Sequence, residues 1–439
     1  MDKLGIGTFV NSESELTTSA LDIFSVPPVD AVLKEGKTVY YYPLNAISDS
    51  GPFEFIIPKD PDSWTSLPLT RLEGEIELKK KDNSALVAAD LVSVVNLFPQ
   101  SLFKQIECEV NGIQVCDLST PTYAWKSYIE THLTFSRAAK ETHLSTSLYL
   151  KDATGKELDF AASNKPFSNR REALKDNKFH FSNLIHSDFF HSSKYLLPNC
   201  ELKLKLIRND DDFSLLSAAT GANKYQISLK NLRLAVRRIK IDPAVQAVIE
   251  TKLLKTPALY DITQSKIKTF LIPASTKSID FPSIIQGNLP RNVIFGFVST
   301  KGFNGSIDGN PYHFNHHNVN YFNLKINGSP IVPTPFSPDF SANNYAREYR
   351  WFLDNVGVSH DNETNWIIQE EYLNNSNFWA FDLSPDMCNG FRLHETKQGN
   401  MDLSLGFKTE PTENLHMLVY ACFNSVISID HLRNVIVTE

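Results

Sequence analysis

Five cysteines in 439 residues are too few to staple a chain of this length, so its stability has to come from buried apolar surface, not from a disulfide framework. Nowhere do about 18 apolar residues run together, which leaves no candidate for a membrane-crossing helix. The opening Met1-Asp2-Lys3-Leu4-Gly5-Ile6-Gly7 passes into a Ser/Glu/Thr stretch with no apolar signal-peptide core. The expectation is a soluble, unsecreted chain. Positive charge is also short: the formal charge is −7 and the pI near 6.0, whereas a surface that neutralises phosphates needs clustered Lys and Arg. Direct, sequence-specific binding of nucleic acid is therefore not expected. Catalytic signatures are missing as well, with no Gly-rich phosphate loop, no Gly-x-Ser-x-Gly elbow and no His-Glu-x-x-His helix.

What is present is a globular composition, 42% hydrophobic and 21% charged, with 29 Phe. The length exceeds one ordinary core and suits two domains or one large β protein. Residues 232 to 262 organise the rest. Leu234 and Val236 alternate against Arg233, Ala235 and Arg237, the period of a strand with one buried face. Asp242-Pro243 then stops the strand and opens a helix, since Asp caps well and Pro suits the first helical position; Val245, Val248, Ile249 and Leu253 follow at helical spacing up to Thr256-Pro257.

On either side lie β-rich stretches. Residues 1 to 65, punctuated by Pro and Gly, read as an extended arm carrying a first strand or two, at Val39–Tyr42 and Phe53–Ile56. Leu72, Gly74, Ile76 and Leu78 alternate with charged residues, and FKQIECEV leads into Asn111-Gly112, a two-residue hairpin turn. In that hairpin Val110 faces Ile113 and Cys108 faces Val115, so Cys108 and Cys116 point to opposite faces. All five cysteines, including Cys422 in MLVYACF, are read as structural. An aromatic helix follows over 122–133, then a loop-rich excursion over 137–195, then strands at Leu202–Leu206 and Tyr225–Ile241. The second half repeats this order. It has strands at Lys266–Ile272, Asn292–Val298 and Tyr321–Ile326, a hairpin at Asn327-Gly328, an aromatic helix over 343–355, a strand through Leu403, Leu405 and Phe407, and a last strand Leu415–Ile429. Pro330 would sit opposite Lys325, which is tolerable at a sheet edge or strand end. Hairpin, helix and a closing long strand ending in Ile-x-Ile-Asp recur in sequence, at Ile239–Asp242 and Ile427–Asp430, which indicates a duplication.

Short alternating strands with long connections and few helices specify an all-β protein of two tandem jelly-roll β-sandwiches, a double jelly roll. The expected boundaries are an arm over 1–65, a first roll over 66–241, a connector helix over 242–257 and a second roll over 258–439.

The chemical candidates are few. His313, His316 and His317 could hold a metal, but strand ligands need to share a face and the surrounding Asn and Pro point to a hydrogen-bonded loop. Asp210, Asp211 and Asp212 collect in a turn, where Asp serves backbone bonds. Arg170-Arg171 reads as a solvated loop, not a phosphate clamp. The sequons at Asn304, Asn327, Asn362 and Asn374 carry no weight without secretion. The helices around Trp125 and Trp351 read as lids packing on sheet ends, with a subunit contact as the other use of an aromatic face. No catalytic, cofactor-binding or metal-ligating residue is assigned, and no cofactor is expected.

Several short motifs occur in order: Leu21-Asp-Ile-Phe-Ser-Val-Pro-Pro28, Ser50-Gly-Pro-Phe-Glu-Phe55, Val95-Asn-Leu-Phe98 with Ser101-Leu-Phe103, Phe303-Asn-Gly-Ser306, Asn310-Pro311 with Phe314, Phe381-Asp-Leu-Ser-Pro-Asp386, Lys397-Gln-Gly-Asn400 and Arg433-Asn434-Val435. In this succession the chain resembles the major capsid proteins of Polinton (Maverick) elements and adintoviruses over nearly its whole length, departing from them at 150–190. The resemblance implies a non-enzymatic double jelly roll, three copies of which form a pseudo-hexagonal capsomer of an icosahedral virion, assembled inside the host cell. Its partners would be further copies of itself and a penton or minor capsid protein. Two rival readings come from other classes. A carbohydrate-binding or carbohydrate-active β-sandwich would show paired carboxylates about 5 to 9.5 Å apart in a cleft, and a metal-dependent jelly-roll enzyme would use the His313 cluster.

Overall fold

The computed structural model describes residues 30–47, 51–87, 90–116, 120–161, 163–218, 224–359, 362–387 and 394–438. The motif at Leu21–Pro28, most of the expected arm and Cys388 lie outside them. Among the described residues two units of eight main strands follow one another, and the first also carries a short antiparallel pair, Val92–Val94 with Leu215–Ser217. The first comprises β1 (Leu33–Tyr41), β2 (Phe53–Ile57), β3 (Trp64–Lys80), β4 (Phe103–Val110), β5 (Ile113–Cys116), β6 (Lys178–Leu184), β7 (Leu202–Arg208) and β8 (Tyr225–Ile241). The second comprises β9 (Ala258–Ile272), β10 (Ser278–Asn288), β11 (Asn292–Ser299), β12 (Val319–Ile326), β13 (Ser329–Pro330), β14 (Phe378–Asp382), β15 (Gln398–Phe407) and β16 (Leu415–Ile429), after which β17 (Val435–Thr438) pairs with β16.

The first unit forms two sheets, ordered β1-β8-β3-β6 and β2-β7-β4-β5; the second forms β9-β16-β11-β14 and β10-β15-β12-β13. Adding eight to every strand of the first unit reproduces the second. All of these pairings are antiparallel. Each unit is a jelly roll, so the molecule is a double jelly roll. The strands β1 and β2 are members of the first roll's two sheets, although residues 1–65 read as an arm in sequence.

Local chemistry explains the corresponding corners. Both hairpins place Asn and Gly in the left-handed region, with φ of 50° and 82° at Asn111 and Gly112 and 51° and 79° at Asn327 and Gly328, the type I′ geometry whose twist matches paired strands. Pro330 faces Lys325 on β13, a two-residue strand at the sheet edge, where its missing N–H costs nothing. Helix α1 (Tyr123–Thr134) follows the first hairpin and a second helix, Ala346–Val356, follows the other. The connector helix, Pro243–Leu253, is capped by the Asp242 carboxylate accepting from the Ala244 N–H at 2.9 Å.

Four local expectations change. A β-bulge between Cys108 and Glu109 sets Cys108 opposite Cys116 instead of Val115, so the two cysteines are register partners, and both are buried. A second bulge, between Ala235 and Arg237, turns Ala235 inward beside Leu234 and Val236, which breaks the simple alternation. The 137–195 excursion contains a helix, Lys165–Ala173, and the strand β6. Arg170 on that helix is 1% exposed. Its Nε donates to the Val94 carbonyl at 2.8 Å, its Nη1 to the Leu150 carbonyl at 2.9 Å and its Nη2 to Asp152 Oδ1 at 2.6 Å. It is an internal tie, not a solvated residue, and Arg171 bonds Asn177 at 2.9 Å.

The core does not divide at the connector. One apolar cluster combines the interior of the first roll with Tyr260, Ile262, Ile427, Ile429 and Val435 from the second. The other combines the interior of the second with Val95, Leu97, Trp125, Tyr128, Phe213 and Leu216 from the first. Two rolls that bury each other's side chains behave as one packed body.

Candidate functional site

The chemistry concentrates at the seam between the rolls, and α1 is its axis. Trp125 donates from Nε1 to the Pro311 carbonyl at 3.1 Å and stacks on Phe303 at 5.1 Å. Tyr128 stacks on Tyr312 at 4.2 Å. His132 bridges Tyr149 Oη and Ser376 Oγ, both at 2.9 Å, and burial, aided by Lys140 and Lys151, holds its imidazole well below the usual value and therefore neutral. Beyond α1, Lys140 donates to the His132 and Asn365 carbonyls at 2.7 and 2.6 Å, and Lys151 pairs with Glu371 at 2.6 Å, tying the first roll's excursion to the second roll.

Lys126 is fully enclosed. Its ammonium bonds Asp188 and Ser265 and lies 2.7 Å from Glu130 Oε1. Burial would depress it, but the two carboxylates outweigh that and hold it above the ordinary lysine value. Asp188 also accepts the Ser265 N–H at 2.9 Å, and Glu130 accepts from Tyr420 Oη at 3.1 Å. Ser265 and Tyr420 belong to β9 and β16, so one buried charge network crosses the seam. At its solvent end His186 Nδ1 lies 2.9 Å from Glu130 Oε2, with His191 beside it.

Near the outer end of the seam, Arg433 donates from Nε to the Pro198 carbonyl at 2.9 Å and from Nη2 to Glu250 at 2.5 Å, while its own carbonyl accepts from Asn111 at 2.8 Å. Asn310 caps the Tyr312 N–H at 3.0 Å and reaches the Glu157 carbonyl at 3.1 Å. Both belong to the motifs singled out in the sequence, and both hold the rolls together.

The sequence candidates are dispersed. His316 Nδ1 accepts the Asn318 N–H at 2.8 Å and its ring stacks on Phe340 at 4.2 Å, while the His317 N–H donates to Asn315 Oδ1 at 2.9 Å. Positive φ at His317 and Asn318 makes this a turn. Desolvation lowers His313 to about 4, His316 to about 4 and His317 to about 3. Asp211 spends its carboxylate on Arg208 at 2.7 Å and the Ile227 N–H at 3.0 Å. Trp351 donates to the Ala380 carbonyl at 3.0 Å and packs on Phe336 and Phe381, a cover for the second roll. Trp125 is not a lid but interior packing. Glu130, His186 and His191 are not legible in sequence, since the excursion separates the carboxylate from the histidines; only the i,i+4 spacing of Lys126 and Glu130 on the helix marks a pair there.

No family model matches the chain. A Caenorhabditis elegans protein described as uncharacterized protein F54H12.2 is 23% identical over 409 residues, covering 90% of this chain and 94% of that one. Among solved structures, a chain of the Sputnik virophage superposes with TM-score 0.62 at 13% identity, covering 96% of this chain and 92% of its own. The mavirus major capsid protein superposes with TM-score 0.52 at 9% identity, covering 100% and 96%. At such identities the likeness establishes architecture: the chain has the double jelly-roll fold seen in major capsid proteins of giant viruses, virophages and mavirus.

Proposed function

We propose that this chain is a major capsid protein, three copies of which associate into a pseudo-hexagonal capsomer that tiles an icosahedral viral shell. The observation that carries the reading is the repeated order of the eight main strands: one polypeptide contains that order twice. Three such chains offer six similar wedges, so a threefold particle can fill sixfold lattice positions through repeated contacts. The interlocked cores support it, because a wall unit has to transmit load between its halves without hinging. Lys126, Asp188, Lys151 and Glu371 at the seam are spent on structural pairs, which suits a non-enzymatic role.

Finer steps follow. A capsomer with six wedges does not fit a fivefold vertex, so a separate penton protein is its partner there. With a formal charge of −7, the wall leaves genome neutralisation to other, basic proteins. The ordered motifs from Leu21 to Val435 favour a Polinton element or adintovirus as the source. Assembly would then take place inside the host cell and the protein reside in the virion.

Negative-stain imaging of the purified full chain tests the reading. Particles with hexagonal outline, or closed shells, are the expected result; a field of small particles with no threefold symmetry at every concentration tried counts against it.

A further inference from the structure

We infer that Glu130, His186 and His191 form a binding site for one divalent transition-metal ion, zinc by the chemistry of its donors, at the solvent end of the seam. One carboxylate oxygen and two imidazole nitrogens from these residues lie within 4.8 Å of one another, the only such three-residue group among the described residues. His186 Nδ1 and Glu130 Oε2 are 2.9 Å apart, and the two imidazole rings stand 6.0 Å apart at 87°. Tetrahedral zinc with bonds of about 2.0–2.1 Å sets neighbouring donors roughly 3.4 Å apart. The Glu130–His186 pair is already close to that spacing. The remaining adjustment falls on His191, an exposed residue whose ring meets that of His186 edge-on. Two nitrogens and one oxygen with a fourth position open to water is a donor set for zinc, while magnesium and calcium prefer oxygen throughout.

The charges around the site allow a dication. Glu130 supplies the one anionic donor of the three. The Lys126 ammonium is nearby at 2.7 Å from Glu130, but Asp188 shares it, leaving the three groups with one net negative charge. On binding, zinc replaces the contact between His186 Nδ1 and Glu130, and any proton on that nitrogen passes to solvent. The outer partners are in place: Tyr420 Oη on Glu130 Oε1 at 3.1 Å, and Thr131 Oγ1 at 3.5 Å from His186 Nε2. The ion would join α1, the His186–His191 turn and, through Tyr420, the second roll.

The test uses the untagged full chain, stripped with a chelator and titrated with zinc chloride by calorimetry, with Co²⁺ absorption as a second readout. Wild type and a His316→Ala control should each bind one equivalent and gain thermal stability on binding. His191→Ala leaves the Glu130–His186 bond and the seam intact, so it should melt like metal-free wild type yet bind zinc at least tenfold more weakly and gain no stability from it. Absence of stoichiometric zinc in wild type, or binding that is unchanged in His191→Ala or lost in His316→Ala, overturns the assignment.

Discussion

The two rolls share their strand order strand for strand, but not the use of the helix that follows each hairpin. In the first roll, α1 is enclosed on nearly all sides, and its Trp125, Lys126, Tyr128 and His132 all meet the second roll. In the second, the equivalent helix, Ala346–Val356, buries Glu348, Phe352 and Asn355 and lies against β14 with its charged side in water. A duplicated fold supplies two equivalent positions, and only one is needed to join the halves. The first copy has become the seam, and the insertion behind it adds Lys140 and Lys151 as further latches. The second has kept the simpler task of covering a sheet.

This contrast can be broken most severely at Lys126. Replacing it by Met strands the Asp188 and Glu130 carboxylates in the interior, and removing one member of a buried ion network costs about 3–5 kcal/mol; chemical denaturation of the purified variant should show a loss of that size or outright insolubility. The tryptophans come next. Trp125→Ala should cost about 3–5 kcal/mol, whereas Trp351→Ala, at a half-buried position, should cost about 2 kcal/mol. Equal losses in denaturant midpoint would show that the two helices are energetically alike.

Acid sharpens the comparison, since the turn at 313–317 belongs to the second roll alone. Its histidines have folded pKa values of about 4, 4 and 3, below the ordinary value of 6.5. The unfolded chain therefore binds more protons between those limits, so stability is lost as pH falls from about 6.5 toward 4. Glu157, 3.9 Å from His313 and raised by burial to about 7, works in the opposite sense, adding stability as pH falls below 7. His317→Asn removes one titrating group and suits the φ of 43° there, so its thermal midpoint should fall less steeply with acid than that of wild type. The smallest expected effects are at the hairpins. Gly112→Ala and Gly328→Ala meet no atom within 4 Å, so each should cost only the left-handed backbone term, about 1–2 kcal/mol. Matching losses would confirm the hairpins as equivalents.

Legibility followed periodicity. Tyr225–Ile241 and Leu415–Ile429 were readable to their ends because long alternating runs stop at Asp, and Asp242-Pro243 announced a capped helix in plain chemistry. Where the ladder is irregular the reading failed. The bulge at Cys108/Glu109 shifts every residue beyond it by one and sends Cys116 to the other face, and β10 is broken by a bulge between Phe281 and Ile285 and by Pro282, so it showed no pattern at all. Strand β9 begins at Ala258, eight residues before Lys266, because Asp261, Thr263 and Gln264 disguise it. The seam was the least legible part. Arg170, Lys126 and the His186–His191 turn look like surface chemistry in sequence, and only partners far along the chain, such as Val94, Ser265 and Glu130, make burying them tolerable.

The central claim, that two rolls in one chain exist to build a threefold unit, is tested most directly by the mass of the purified full chain in solution. Light scattering should give three times 49.6 kDa, unchanged on dilution until the particle dissociates as a whole. A monodisperse species of 49.6 kDa at every concentration would contradict it.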